Sequence, residues 1–377
     1  MHDTHRRSLD ALARRQRIRT LQPRQGLDFS SNDYLGIAQS DALKKAARTA
    51  LENGVPVGAG GSRLLRGNHP EHELLETEAA EFFAAQTALF FNSGFAANTA
   101  LFAALPQRGD LIVHDALIHA SVHDGMAMSR AEHRAFSHND PDAAADAIIA
   151  WRKSGGKGRP WIAIETLYSM DGDTAPLHQL ADVAQYHDAM LVLDEAHATG
   201  VLGQHGRGLG ARLEGNDNVI ALHTCGKALG ASGAIITLPA ILRDYMVNRA
   251  RPFIYATAPS PLMAATVRAA LGIIRTANGK RENLAALTAH TGTLLKARCG
   301  VTPTGTHIQP VIVGRDARAL AIATALQNAG FDVRAIRPPT VPEGSARLRL
   351  SLTLNVTTDD ITHMIDILAP LLNETAP

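Results

Sequence analysis

The 377-residue sequence predicts an α/β fold, with a large domain built on a mostly parallel sheet flanked by helices and a smaller α+β C-terminal domain. Two observations predict it. Short apolar runs with little polar alternation recur along the first two thirds of the chain, as is typical of strands buried on both faces. Helical patterns separate most of these runs, as in strands joined by crossover helices.

An N-terminal segment, 1–40, comes first in the predicted order. It contains a short basic helix over 9–18 and a short strand and turn over 29–36. Residues 57–62 predict a glycine-rich loop. The helix predicted over 71–85 has one apolar face, formed by Leu74, Leu75, Ala79, Phe82 and Phe83.

The large domain is predicted over 41–270. Helices are expected over 95–105 and 177–187, and the strands are expected to end at Phe91, Val113, Ile164, Leu193 and Leu222. After about residue 270 the pattern changes to a helix, strands near 310–313 and 346–350, and a closing helix over 358–372. These last elements predict the small domain, 271–377.

Composition excludes several classes of function. The formal net charge of +1 gives no reason to expect a nucleic-acid partner. No apolar run reaches the roughly 20 residues that span a bilayer, so no membrane partner is expected. Cys225 and Cys299 are too few for a disulfide framework or a thiolate metal cage, and they favour a reducing, cytoplasmic location.

Residues that follow the predicted strands are the candidates for chemistry, because ligands of open parallel sheets bind at the carboxyl ends of the strands. After Phe91, the small residues of 92–96 open a helix whose N-terminal N–H groups suit a phosphate, although a plain turn explains them equally well. His119, after Val113, could stack on a flat ring or cap a helix. His119 and His123 have a metal-binding spacing, but no third ligand is apparent and no metal is expected.

Asp194 ends an apolar run and His197 follows it. The sequence Asp-Glu-Ala-His also occurs in helicases, but none of the three Gly-Lys pairs has the phosphate-loop pattern, which excludes an ATPase. The better interpretation of Asp194 is a buried carboxylate at a strand end. Such a carboxylate, placed beside a pyridine nitrogen, keeps that nitrogen protonated. A protonated pyridine ring is the electron sink of pyridoxal 5′-phosphate (PLP).

Lys227 lies among small residues just after another apolar run. A lysine that bonds covalently to PLP needs a lowered pKa, which desolvation and a nearby cation supply. Thr224 could hydrogen-bond a phosphate oxygen. A surface-loop lysine explains Lys227 alone equally well, but together with Asp194 and the helix N-terminus it favours a PLP site.

Six stretches together resemble the α-oxoamine synthases, a family of fold-type I PLP-dependent transferases. They are FSSNDYLG at 29–36, NSGFAAN at 92–98, YSMDG at 168–172, DEAH at 194–197, GVLG at 200–203 and TCGK at 224–227. The resemblance covers nearly the whole chain. It implies PLP as the cofactor, a decarboxylative condensation of an amino acid with an acyl thioester, and a homodimer with a shared active site.

The resemblance also implies a role for each matching residue. Lys227 would bind PLP covalently and later remove the substrate Cα proton. Asp194 would pair with the pyridine nitrogen, His119 would stack on the ring, and His197 and Ser169 would reach its phenolic oxygen. The phosphate would be held by Ser93, Gly94, Phe95, Thr224 and Thr257 of the partner subunit.

The substrate end is implied by the same resemblance. Arg337 would bind the amino-acid carboxylate with its two-pronged guanidinium, and Asn32 would line this end. The stretch at 335–342, followed by ARLRL at 346–350, favours members that condense L-alanine with a pimeloyl thioester in biotin biosynthesis. The carrier of the pimeloyl group, CoA or an acyl carrier protein, stays open. The segment before residue 29 is shorter than in the family, so the arginine at the acyl-chain entrance is either Arg17 or Arg19.

Three alternatives remain. Glycine C-acetyltransferase, 5-aminolevulinate synthase or a serine-using synthase would share every catalytic residue named above. An aminotransferase would keep Lys227 and Asp194 but use a 2-oxo acid. The third is a non-catalytic PLP-binding or regulatory protein. Nothing in the sequence favours it, because no DNA-binding segment is recognisable and the net charge is near zero.

Overall fold

The computed structural model describes residues 2–373, in two compact units. The large unit comprises Leu35–Ser169 and Thr174–Arg281. The small unit comprises the residues up to Tyr34, Met170–Asp173 and the residues from Glu282 onward. The predicted domain limits after residues 40 and 270 stay a prediction, and residues 1 and 374–377 of those domains lie outside the described residues.

Twelve strands and thirteen α-helices are present in the described part of the chain. The strands are β1 (Leu27–Asp28), β2 (Thr87–Phe91), β3 (Leu111–Asp115), β4 (Glu132–Phe136), β5 (Pro160–Glu165), β6 (Met190–Asp194), β7 (Val219–Thr224), β8 (Ala234–Leu238), β9 (Ile308–Gly314), β10 (Phe331–Asp332), β11 (Ala335–Ile336) and β12 (Ala346–Ser351). The helices are α1 (Asp3–Arg14), α2 (Asp41–Glu52), α3 (Pro70–Phe83), α4 (Gly94–Ala104), α5 (Ala120–Met128), α6 (Pro141–Lys153), α7 (Leu177–Tyr186), α8 (Ala240–Arg249), α9 (Arg251–Ile254), α10 (Pro261–Thr276), α11 (Asn278–Cys299), α12 (Asp316–Asn328) and α13 (Thr358–Asn373).

The large unit is built on a seven-stranded sheet with the order β2-β8-β7-β6-β5-β3-β4. Only β8 runs antiparallel to the other six strands, which confirms the mostly parallel sheet. Each predicted strand end lies within two residues of an observed one. The sequence analysis missed β4 and β8.

Successive side chains of each strand point to opposite faces of this sheet. On one face, Trp161, Val192 and Ile220 belong to a buried cluster that includes residues of α4, α5 and α8. On the other face, Ile162 and Leu191 belong to a cluster with residues of α6 and α7. Both faces are therefore covered, and the polar groups at the strand ends are the ones left available for a ligand.

The small unit confirms the predicted α+β C-terminal part. Its three-stranded sheet has the order β11-β12-β9 and is antiparallel. The N-terminal strand β1 joins the same unit by pairing in parallel with β10. Along residues 2–373, no helix combines the length and the apolar character needed to cross a bilayer.

Three local predictions were wrong. The first helix spans Asp3–Arg14, not 9–18, because its first six residues are polar and no apolar residue marks where it begins. Within 29–36 there is no strand, because the Asp28 carboxylate accepts hydrogen bonds from the N–H groups of Ser30 and Ser31 and turns the chain. Leu74 is 44% exposed, whereas the other four residues of the predicted apolar face are buried.

Candidate active site

Lys227 and His197 meet at the carboxyl ends of two neighbouring strands. His197 follows β6 and is 5% exposed. Lys227 follows β7 in a turn closed by the hydrogen bond from the Gly230 N–H to the Lys227 carbonyl, 2.8 Å long. The Lys227 Nζ lies 2.7 Å from the His197 Nε2. The half-buried amine is therefore held in place by the His197 imidazole. The binding of PLP by Lys227 and the contact of His197 with its phenolic oxygen stay predictions.

Asp194, the last residue of β6, is buried and holds two hydrogen bonds. Its Oδ1 accepts from the Ala196 N–H at 3.0 Å, and its Oδ2 accepts from the Asn98 Nδ2 at 2.8 Å. Donors of this kind stabilise a carboxylate charge. The sequence analysis gave Asn98 no role. A signal was present, because Asn98 is a polar residue in the otherwise mostly apolar helix α4.

His119 is the N-cap residue of α5, as the capping interpretation predicts. Its Nδ1 accepts from the Ser121 N–H at 3.2 Å and lies 2.8 Å from the Ser121 hydroxyl. That hydroxyl also accepts from Asn98 at 3.0 Å, so Asn98 links His119 to Asp194. Desolvation lowers the pKa of His119, Lys227 lowers it further and Asp194 opposes both. A neutral ring follows, which suits stacking, and the stacking itself stays a prediction.

The phosphate-binding residues of the prediction are grouped at the start of α4. The Ser93 hydroxyl caps this helix by accepting from the Ala96 N–H at 3.1 Å. The N–H groups of Gly94 and Phe95 precede the first intrahelical bonds and are available to an anion. A Cβ at Gly94 would lie 3.6 Å from the Thr224 Oγ1, so Thr224 borders the same space.

Thr257 and Ser169 lie elsewhere in the large unit. The Thr257 carbonyl accepts from the Asn92 Nδ2 of its own chain at 2.9 Å. Its reach to a partner's phosphate stays a prediction. The Ser169 N–H donates to the Oε2 of Glu165 at 3.0 Å. Glu165 was also missed by the sequence analysis.

The three predicted substrate-binding residues belong to the small unit. The Arg17 guanidinium contacts Asp316 at 2.7 Å and Glu343 at 2.5 Å, which raises its pKa. The Arg17 guanidinium is therefore already paired with two carboxylates, whereas the Arg19 side chain is exposed. The choice between Arg17 and Arg19 at the acyl-chain entrance stays open. The Asn32 Oδ1 accepts from the hydroxyl of Tyr34 and from Arg349.

Arg337 donates to the carbonyl of Gln16. Desolvation lowers the pKa of Arg337, and the neighbouring cation Arg19 adds to this effect. A small cavity of about 80 Å³ in this unit is lined by Arg17, Arg19, Arg337 and Thr340. Arg17 is already paired with two carboxylates, so the guanidinium groups of Arg19 and Arg337 are the ones that could attract an anion here. Across residues 2–373, no group of three or more His, Cys, Asp or Glu side chains could hold a metal ion.

Fold and site together define a class of protein. The chain belongs to the aminotransferase class I and II family, whose sequence model matches residues 24–368. A putative 8-amino-7-oxononanoate synthase of Geobacillus kaustophilus is 42% identical over 91% of this chain and 88% of its own. The 8-amino-7-oxononanoate synthase of Anaeromyxobacter dehalogenans is 39% identical over 98% of this chain and 95% of its own.

Solved structures are similar over the same extent. A serine palmitoyltransferase variant from S. paucimobilis, determined with PLP and myriocin bound, has a TM-score of 0.88 and 25% identity, and covers 98% of this chain and 97% of its own. The 8-amino-7-oxononanoate synthase of Francisella tularensis has a TM-score of 0.78 and 28% identity, covering 92% and 98%. The fold-type I assignment is confirmed.

Proposed function

We propose that the chain is a PLP-dependent 8-amino-7-oxononanoate synthase of biotin biosynthesis. It joins the Cα of L-alanine to the carbonyl carbon of a pimeloyl thioester, with release of the thiol and CO2. The observation that carries the proposal is the group formed by Lys227, His197 and Asp194 at the ends of β6 and β7. Relatives that bear the name 8-amino-7-oxononanoate synthase and cover most of the chain support the substrates.

The residues present fit PLP. Asp194, held by two donors, suits a pyridinium nitrogen, and the N-terminus of α4 with Thr224 suits a phosphate. PLP supplies an electron sink that stabilises negative charge on the substrate Cα. The protein supplies a base, orientation and a carboxylate site.

Lys227 is the base in this proposal. Its Nζ removes the proton from the alanine Cα and returns a proton to the same carbon after CO2 has left. The His197 Nε2, 2.7 Å away, orients the Nζ. Neutral His119 covers one face of the ring without adding a second positive charge, and Arg337 binds the alanine carboxylate with two parallel N–H groups.

We also propose a homodimer that acts in the cytoplasm. Exposed apolar side chains on two adjoining segments of the large unit support the dimer. The segments adjoin because the Ala258 N–H donates to the Gly61 carbonyl at 2.9 Å. Their large apolar side chains, Val57, Leu65 and Tyr255, are 67%, 85% and 72% exposed. Such a surface is typical of an interface. Both cysteines are free thiols, which supports a reducing compartment.

The test is a product assay. Purified protein with PLP receives L-alanine and either pimeloyl-CoA or pimeloyl-acyl carrier protein, and a parallel reaction receives glycine and acetyl-CoA. We expect a species with the mass of 8-amino-7-oxononanoate only with alanine, and none with the Lys227→Ala variant. Product only in the glycine reaction would assign the chain to a sister enzyme with the same catalytic residues. Cofactor covalently attached to Lys227→Ala after borohydride reduction would contradict the role of Lys227.

A further inference from the structure

Glu165 is a second buried carboxyl group beside Asp194. It is the last residue of β5, and its Cα is the register partner of Asp194 at the end of β6. Trp161 and Ala163 of β5 and Met190 and Val192 of β6 belong to one cluster. By alternation, both carboxyl groups point to that face. Glu165 is 2% exposed, so both groups are shielded from water.

The two carboxyl groups differ in their donors. Asp194 has a donor at each oxygen, Asn98 and the Ala196 N–H. Glu165 has one at Oε2, the N–H of Ser169 at 3.0 Å. Its Oε1 is buried and has no hydrogen-bond partner among residues 2–373. The side chain that lacks donors is the one expected to stay protonated.

Burial and the neighbouring charges also favour a protonated Glu165. Burial raises the pKa of Glu165 to about 8, and the charge of Asp194 adds to this, while Lys227 opposes it. Two adjacent buried carboxylates cannot both ionise easily. Around neutral pH, Glu165 is therefore the neutral member of the pair.

We propose that Glu165 is a positioning residue that acts as a neutral acceptor, fixing the turn that carries Ser169 so that the Ser169 hydroxyl meets the phenolic oxygen of PLP. The catalytic mechanism above does not use Glu165. The inference rests on the proposed PLP site, but not on the amino acid or the thioester. Because Ser169 is four residues beyond Glu165, the Glu165 contact spans the whole turn after β5.

The experiment is a double-mutant cycle on cofactor binding. Glu165→Ala, Ser169→Ala and the double variant are compared with wild type by titrating apo-protein with PLP. The visible absorption spectrum of the bound cofactor and the melting temperature of the apo-protein are recorded as well. Glu165→Gln, which keeps a neutral acceptor oxygen, is the matched control. Should Glu165→Ala fail to fold, Glu165→Leu, which fills more of the same volume, replaces it.

We expect Glu165→Ala and Ser169→Ala each to weaken PLP binding about tenfold and to change the spectrum alike. The double variant should be no weaker than either single variant, since both act through one contact. Glu165→Gln should match wild type. Additive losses of PLP affinity in the double variant would overturn this inference but not the proposed function. A Glu165→Gln variant that binds PLP as weakly as Glu165→Ala would do the same. Wild-type protein that binds no PLP would overturn the proposed function with it.

Discussion

At the scale of single residues, Asn98 connects two groups of the candidate active site. Its Nδ2 donates to Asp194 and to the Ser121 hydroxyl that lies against His119. Asn98→Ala removes a hydrogen bond to a charged group, worth about 1.5–3 kcal/mol. We expect PLP binding to weaken by roughly tenfold or more, measured by cofactor titration. Asn248→Ala, at an exposed position of α8, is the control and should bind like wild type. Equal affinity of the two variants would contradict the role of Asn98.

The sequence indicates Lys227 and Asp194 more clearly than it indicates the residues that hydrogen-bond to them. Lys227 and Asp194 were identifiable because each follows a buried apolar run, and parallel strands bring such positions to one edge. Their partners depend on distances across the fold. Asn98 reaches Asp194 from a helix 96 residues earlier in the chain, and no local pattern encodes that contact.

At the scale of elements, the close packing of α5 on α4 positions His119 relative to the N-terminal turn of α4. A Cβ at Gly125 of α5 would lie 2.8 Å from the Phe102 Cβ of α4. Gly125→Ala should therefore force the helices apart and cost about 1–3 kcal/mol of unfolding free energy, measured by urea denaturation. In Gly272→Ala, the new Cβ on α10 meets nothing within 4 Å. That control should be stabilised by up to about 1 kcal/mol. A Gly125→Ala variant as stable as Gly272→Ala would show that the helices can adjust.

The segment after β6 is anchored by Glu195. This buried carboxyl accepts hydrogen bonds from Thr166 and from the N–H groups of Leu209 and Gly210. Burial raises the pKa of Glu195 to about 7. The folded chain then holds this proton more tightly than the unfolded chain, so the contribution of Glu195 to stability falls as pH rises from about 4.5 through 7.

We expect the melting temperature of Glu195→Gln apo-protein to decline less than that of wild type between pH 5 and pH 8, because glutamine cannot ionise. Thermal melts at several pH values measure this slope. The amide also faces backbone N–H donors, so the variant is expected to be less stable in absolute terms. Parallel slopes for the two proteins would contradict the raised pKa.

The elements themselves were predictable where burial leaves a pattern in the sequence. The central strands of the sheet are continuous apolar runs, and the apolar residues of the closing helix recur on one face. By contrast, β4 is a mostly exposed edge strand of polar sequence, EHRAF, with no apolar run to reveal it. Similarly, β8 follows β7 after a turn rather than a helix, which the alternation of strands and helices does not anticipate.

At the scale of the whole molecule, the proposed shared active site allows two different defective subunits to complement one another. Lys227→Ala and Thr257→Ala chains are coexpressed with different affinity tags, and the hybrid is purified through both. One site of the hybrid lacks both side chains and the other has both. We expect the hybrid to bind PLP with wild-type affinity at one site and to form product, whereas the Lys227→Ala homodimer forms none. A hybrid no better than the Thr257→Ala homodimer would place Thr257 in its own subunit's site.

The pairing of β1 with β10 also bears on how the protein is made. Leu27 is the register partner of Phe331, and the Phe29 carbonyl accepts from the Ser351 N–H at 2.9 Å. The ribosome synthesises Leu27 and Phe29 long before their partners Phe331 and Ser351. The sheet of the large unit, complete by Leu238, can form during synthesis. The N-terminal segment therefore stays unpaired, and accessible to chaperones and proteases, until β10 and β12 have been synthesised.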